Sequence, residues 1–119
     1  MTVSLKKLKD QVIVITGASS GIGLATAEAA AREGAQLVLA ARSQNALHSI
    51  VDRINAAGGE AVSVPCDVAD RRQVENLREA ALLRFGRFDT WINNAGTSIY
   101  GRLEEVDEGD SRRLFDINF

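Results

Sequence analysis

Cysteine, histidine, proline and tyrosine are each present only once in this chain of 119 residues. A single cysteine, Cys66, forbids an internal disulfide. That fits a reducing compartment, and the cytoplasm is the expected location. One histidine beside one cysteine leaves no ligand set for a zinc site and no Cys/His pair for nucleophilic catalysis. His48 falls in a predicted helix and reads as a solvated surface residue. Cys66 follows an apolar run and reads as inert packing at the edge of a core. Charge of either sign is not in excess: the formal net charge is −2 and the pI about 5.4. Neither nucleic acid nor a membrane surface is an expected partner, and any basic site has to be local. No window approaches the roughly 18 apolar residues of a membrane span. The opening "MTVSLKKLKDQ" has lysines with no apolar stretch behind them, so it does not read as a secretory signal. What remains is a globular balance, 45% hydrophobic and 25% charged.

The apolar residues fall into short runs. "QVIVIT" (11–16) is β-branched and almost wholly apolar, as a central strand of a parallel sheet must be when both its faces are buried. A glycine-rich turn follows, then an alanine-rich stretch closed by Gly34, which predicts a helix lying close against the sheet. "AQLVLAA" (35–41) reads as a second buried strand. Ser43 is a candidate N-cap. Leu47, Ile50, Val51 and Ile54 then share one helical face, and Gly58-Gly59 ends that helix. "EAVSVPCD" predicts a third strand, with Pro65 at its end where a missing N–H is tolerated. Asp70 with Gln73 has the pattern of a capping box. Val74, Leu77, Ala81 and Phe85 continue one face until Gly86. "FDTWINNAG" predicts a fourth strand running into a glycine turn. Strands alternating with helices specify an α/β parallel sheet. Right-handed crossovers put it in the order 3-2-1-4 with helices on both faces.

The turn "TGASSGIG" (16–23) lies between a buried strand and a helix. Gly17 permits the tight turn, while Gly21 and Gly23 allow close backbone approach. The helix start then offers free N–H groups and positive dipole to a pyrophosphate. A ligand-free glycine turn is the bland alternative. A dinucleotide calls for an acidic residue about 20 positions on, or an Arg if the ribose carries a 2′-phosphate. Here the acidic position is Ala41 and its neighbour is Arg42, so the choice leans to NADP(H). The alternative for Arg42 is a surface residue at the strand end. At the switch point of such a sheet, "TGASSGIG" would face "NNAG" (93–96).

These three motifs, "TGASSGIG", Asp67-Val68 after the third strand and "NNAG" after the fourth, resemble the classical short-chain dehydrogenases/reductases over residues 10–119. The resemblance implies a Rossmann-type doubly wound sheet and NAD(P)-dependent hydride transfer between nicotinamide and a small carbonyl or alcohol substrate. It implies that Gly17, Ser19, Ser20, Gly21, Ile22 and Gly23 form the cofactor turn and that Arg42 takes the 2′-phosphate. Asp67 would accept from the adenine amino group, with Val68 against the ring. Asn94, Ala95 and Gly96 would line the floor near the adenine-side ribose and the nicotinamide half. Ser20 stands where many NADP-preferring members carry a basic residue, so NAD(H) stays open beside NADP(H). Asn118 is similar to the helix asparagine that holds a water in the family's proton relay. The relay's serine and Tyr-x-x-x-Lys pair have no counterpart here, since Tyr100 is followed four residues on by Glu104. The chain therefore reads as the N-terminal portion of a longer single domain, one whose full-length form is expected to be a homo-oligomer. A fragment of this kind is expected to be inactive alone. A non-catalytic dinucleotide-binding module is the alternative, and Leu114 and Ile117 would face the missing sheet.

Overall fold

The computed structural model describes residues 7–94. After a single 3-10 turn at Leu8–Asp10 the elements are β1 (Val12–Thr16), α1 (Gly21–Arg32), β2 (Gln36–Ala41), α2 (Gln44–Ala56), β3 (Glu60–Pro65), α3 (Arg71–Phe85) and β4 (Thr90–Ile92). All strand pairs are parallel and the order is β3-β2-β1-β4, as the alternation of strands and helices predicts. The expected helix carrying Leu114 and Ile117 lies outside the described residues.

Every residue of β1 is buried, which explains why that segment has no polar-apolar alternation. The alternation is instead between two apolar clusters. Ile13, Ile15, Leu37 and Leu39 pack with Ala27 and Ala30 of α1 and with Leu47, Ile50, Val51 and Ile54 of α2. Val14, Val38 and Ala40 point the other way, to Leu77 and Ala81 of α3 and to Trp91. Two helices thus cover one face and the third covers the opposite one. The fully buried residues of α1 are glycine and alanine, Gly23, Ala27 and Ala30, with Leu24 packed partly against the same core. Burying such small side chains contributes little area each, but it lets the helix backbone approach the sheet.

Two of the expected caps differ in detail. Ser43 occupies the N-cap position of α2, yet its hydroxyl makes no capping bond; the first turn is closed by its carbonyl, which accepts from Leu47 N–H at 3.3 Å. Asp70 does cap α3, accepting from Arg72 N–H at 3.0 Å, and Gln73 Nε2 donates to its other oxygen at 3.2 Å. The Gln73 amide and the Arg72 N–H hold the Asp70 carboxyl below the usual carboxylate range. A reciprocal capping box would return Gln73 to the Asp70 N–H. That N–H is already given to the Asp67 carbonyl at 2.9 Å, so Gln73 Oε1 accepts from Asp67 N–H instead, at 2.8 Å.

The fourth strand is shorter than "FDTWINNAG" suggests, with only Thr90–Ile92 in it. The preceding Asp89 serves as a clamp: its carboxylate accepts from Val12 N–H at 2.8 Å and from Arg87 Nε at 3.1 Å. Arg87 also donates to the Asp10 carbonyl at 2.7 Å, so the starts of β1 and β4 are fastened together. Asn55 does the same between α2 and β3, exchanging two hydrogen bonds with the Ala61 backbone. Pro65 ends β3, an edge strand of the described sheet, as its missing N–H requires.

Candidate cofactor site

Parallel strands place the turns after β1, β2, β3 and β4 at one end of the sheet. A cleft of about 510 Å³ opens there, lined by Gly17, Ser19 and Ser20, by Ala41, Arg42 and Ser43, by Cys66 to Ala69, and by Asn94. Seven of the residues singled out from the sequence meet in it: Gly17, Ser19, Ser20, Arg42, Asp67, Val68 and Asn94. Gly21, Ile22 and Gly23 form the first turn of α1 beside it. Ala95, Gly96 and Asn118, with Tyr100, lie outside the described residues.

The first turn is shaped by backbone constraints. Gly17 and Gly21 have φ of 63° and 59°, a region that costs an L-residue roughly 1–2 kcal/mol. Gly23 is needed for a different reason. A Cβ there would collide with the Gly17 carbonyl oxygen and come within 2.5 Å of Asn94 Nδ2. Ser20, at the N-cap of α1, makes no side-chain capping bond, so its hydroxyl does not consume the N–H groups of that turn. A narrow glycine approach beside an uncapped helix start fits a pyrophosphate. Ala18 is buried and its N–H reaches the Ala40 carbonyl at 3.1 Å, pinning the turn to β2.

Arg42 is exposed at the rim and makes no hydrogen bond or ion pair among the described residues, and the position before it is an alanine. Its guanidinium is therefore available to an anion in the cleft. Asp67 has a structural task as well as a place in the lining. Oδ1 accepts from Ala69 N–H at 2.9 Å, forming a tight Asx turn. Oδ2 makes no hydrogen bond among the described residues. Val68 packs partly against the α3-side core. Cys66 is buried, and its thiol is pushed up to about 11 by burial and by the charges of Asp67 and Asp70. That agrees with the inert role expected of it, and His48 is exposed on α2 as expected.

Sequence reasoning did not single out Thr16, Trp91 or Asn93. Thr16 Oγ1 accepts from Asn94 N–H at 3.1 Å, joining the turns after β1 and β4 across 78 residues of chain. Asn94 Nδ2 adds a bond to the Gly17 carbonyl at 3.4 Å. The only signal in the sequence was a polar residue closing an otherwise apolar strand. A second cleft, about 750 Å³, lies at the other end of the strands between the C-termini of α1 and α2. None of the motifs reaches it. Among the described residues no three His, Cys, Asp or Glu side chains could hold a metal ion, and no helix is long and apolar enough to cross a membrane.

An open parallel sheet with a glycine turn at the β1–β4 crevice defines an α/β protein of the doubly wound class. The family model for short chain dehydrogenases matches residues 11–119, and the chain belongs to that family. It is 51% identical over 117 residues to the uncharacterized oxidoreductase YxnA of Bacillus subtilis (strain 168), covering 98% of this chain and 33% of that protein. Among solved structures it is similar to a short chain dehydrogenase/reductase from Burkholderia phymatum in complex with NAD, with 44% identity and a TM-score of 0.75 over 78% of this chain and 33% of that one. It is also similar to the L-sorbose reductase of Gluconobacter frateurii complexed with NADPH and L-sorbose, with 44% identity and a TM-score of 0.70 over 73% of this chain and 34% of that one. The chain spans about a third of the length of each of these relatives.

Proposed function

We propose that this chain holds a nicotinamide dinucleotide, NADP(H) in preference to NAD(H), for hydride transfer between the nicotinamide and the carbonyl or alcohol carbon of a small-molecule substrate. The observation that carries the preference is Arg42 at the cleft rim beside Ala41, without a hydrogen bond or ion pair among the described residues. A carboxylate at position 41 would repel a 2′-phosphate, whereas a guanidinium binds one through charge-assisted, often bidentate hydrogen bonds. Relatives solved with NAD and with NADPH support the cofactor class.

In this reading the first turn of α1, with Gly17, Ser19, Ser20, Gly21, Ile22 and Gly23, takes the pyrophosphate. Oδ2 of Asp67 accepts from the adenine amino group, Val68 lies against the ring, and Asn94, Ala95 and Gly96 form the floor under the ribose and nicotinamide half. The bound dinucleotide supplies the hydride chemistry. Asn118 is the candidate for holding a water in the proton path. Within these 119 residues the single tyrosine, Tyr100, is followed at the fourth position by Glu104 rather than lysine, so no partnered tyrosine acid is at hand.

The test is calorimetric titration of the protein with NADPH and NADH. Losing a hydrogen-bonded charge contact costs roughly 1.5–3 kcal/mol, so NADPH should bind at least tenfold more tightly. The double substitution Ala41→Asp with Arg42→Gln should invert the order. Equal affinities for the two nucleotides in the unmodified protein would remove the basis of the preference.

A further inference from the structure

We infer that Trp91 is a positioning residue for the cofactor floor: its indole N–H sets the rotamer of the Asn93 carboxamide, and through Thr16 this holds the backbone of Asn94 in place. The inference rests on the cofactor reading above. Trp91 is 2% exposed and Asn93 is 5% exposed, and neither lines the cleft. Trp91 Nε1 donates to Asn93 Oδ1 at 2.9 Å. An indole nitrogen is only ever a donor, so the side of the carboxamide facing it has to be the oxygen. That removes the usual ambiguity between the oxygen and nitrogen of an asparagine.

The consequence passes to Thr16. Its hydroxyl hydrogen is directed at Asn93 Oδ1 and the Ile92 carbonyl, at 3.4 and 3.5 Å. With its hydrogen directed there, the hydroxyl oxygen presents a lone pair to Asn94 N–H at 3.1 Å. If the carboxamide flipped, Asn93 Nδ2 would become a donor toward Thr16 and compete with Asn94 N–H for that oxygen. Asn94 would then share the oxygen's two acceptor lone pairs with a second donor, and its bond to Thr16 would weaken. The present rotamer also has a cost. Among the described residues Asn93 Nδ2 is buried without a hydrogen-bond partner, and buried polar groups are rarely left so. The Trp91 bond is what holds the side chain in this orientation against that cost. Trp91 is itself held by its edge-to-face contact with Phe88, the ring centroids 5.5 Å apart.

The experiment compares the unmodified protein with Trp91→Phe, Thr16→Val and the double variant. Phenylalanine keeps a ring against Phe88 and deletes the donor, together with part of the buried indole's volume, so the amides paired between β1 and β2 serve as the control for general loosening of the core. Two readouts are taken: amide hydrogen exchange at Asn94 in the nucleotide-free protein, and the Kd for NADPH and NADH. Trp91→Phe should speed exchange at Asn94 while leaving the amides paired between β1 and β2 unchanged. It should raise Kd roughly three- to tenfold, the scale of one hydrogen bond. Because Trp91 acts through Thr16, adding Trp91→Phe to Thr16→Val should raise Kd no further. Unaltered Asn94 exchange in Trp91→Phe, or effects on Kd that multiply in the double variant, would overturn the inference. Should the unmodified protein bind neither nucleotide, the cofactor reading fails, and the exchange measurement still decides this one. Should Trp91→Phe not fold, the unmodified protein gives a direct reading: a Trp91 indole proton exchanging as fast as a solvated one is incompatible with the inference.

Discussion

Replacing Gly23 with alanine sets two effects of known size against each other. In a helix, alanine is favoured over glycine by about 1 kcal/mol, so at an open position the change stabilises. At Gly23 the added Cβ would collide with the Gly17 carbonyl oxygen and lie 2.5 Å from Asn94 Nδ2. The Gly17 oxygen belongs to a main chain held at φ 63° between β1 and α1, so it cannot rotate aside as a long side chain could. Overpacking of this kind costs typically 1–3 kcal/mol. Displacing Asn94 also removes its 3.4 Å bond to Gly17, worth about 1 kcal/mol. The expected outcome is a net destabilisation of about 1–3 kcal/mol by urea denaturation, with a larger loss of NADPH affinity, because both turns that form the crevice are pushed apart. Gly21→Ala is the control, since its Cβ meets nothing within 4 Å and the change tests only the backbone at φ 59°. A Gly23→Ala protein that is more stable than the original and binds NADPH unchanged would refute the close-approach argument.

Asp67→Ala should weaken binding of 2′,5′-ADP and leave nicotinamide mononucleotide binding unaffected; a fall in apo melting temperature with unchanged 2′,5′-ADP affinity would assign Asp67 to the Ala69 turn alone. Asp89→Ala removes the partner of Val12 N–H, which belongs to a fully buried residue. Stability should fall by about 1–3 kcal/mol, while nucleotide affinity at the opposite ends of the strands holds, and an affinity loss larger than the stability loss would contradict this separation. With its thiol raised from 9.0 to about 11, Cys66 should carry about 100-fold less thiolate at neutral pH than an ordinary thiol and alkylate slowly. Labelling should accelerate as pH rises toward 11 and on unfolding in urea; rapid native labelling at pH 7 would show the thiol to be neither buried nor perturbed.

The alternation of strands and helices, the parallel sheet and its order were legible in the sequence because they rest on local and repeating signals. The apolar run at 12–15, closed by Thr16, reads as a strand buried on both faces. The spacing of Leu47, Ile50, Val51 and Ile54 can only present one helical face, and all four are buried. The glycine turn was legible for the same reason: its constraints act within a few residues, and positive φ at Gly17 and Gly21 is a property of those residues themselves. Tertiary structure decided what depends on partners distant in the chain. Gly23 is required locally by the Gly17 carbonyl, and only folding adds Asn94 as a second obstacle; Thr16 likewise meets Asn93 and Asn94, contacts that span the length of the sheet in sequence. Ser43 has the composition of a cap and does not act as one, and Gln73 turned to Asp67 because the Asp70 N–H was already taken. Local propensity names the donors and acceptors a segment carries. Which of them pair is settled by competition among all the groups that folding brings within 3 Å or so of one another, and that competition has no trace in the spacing of residues along the chain.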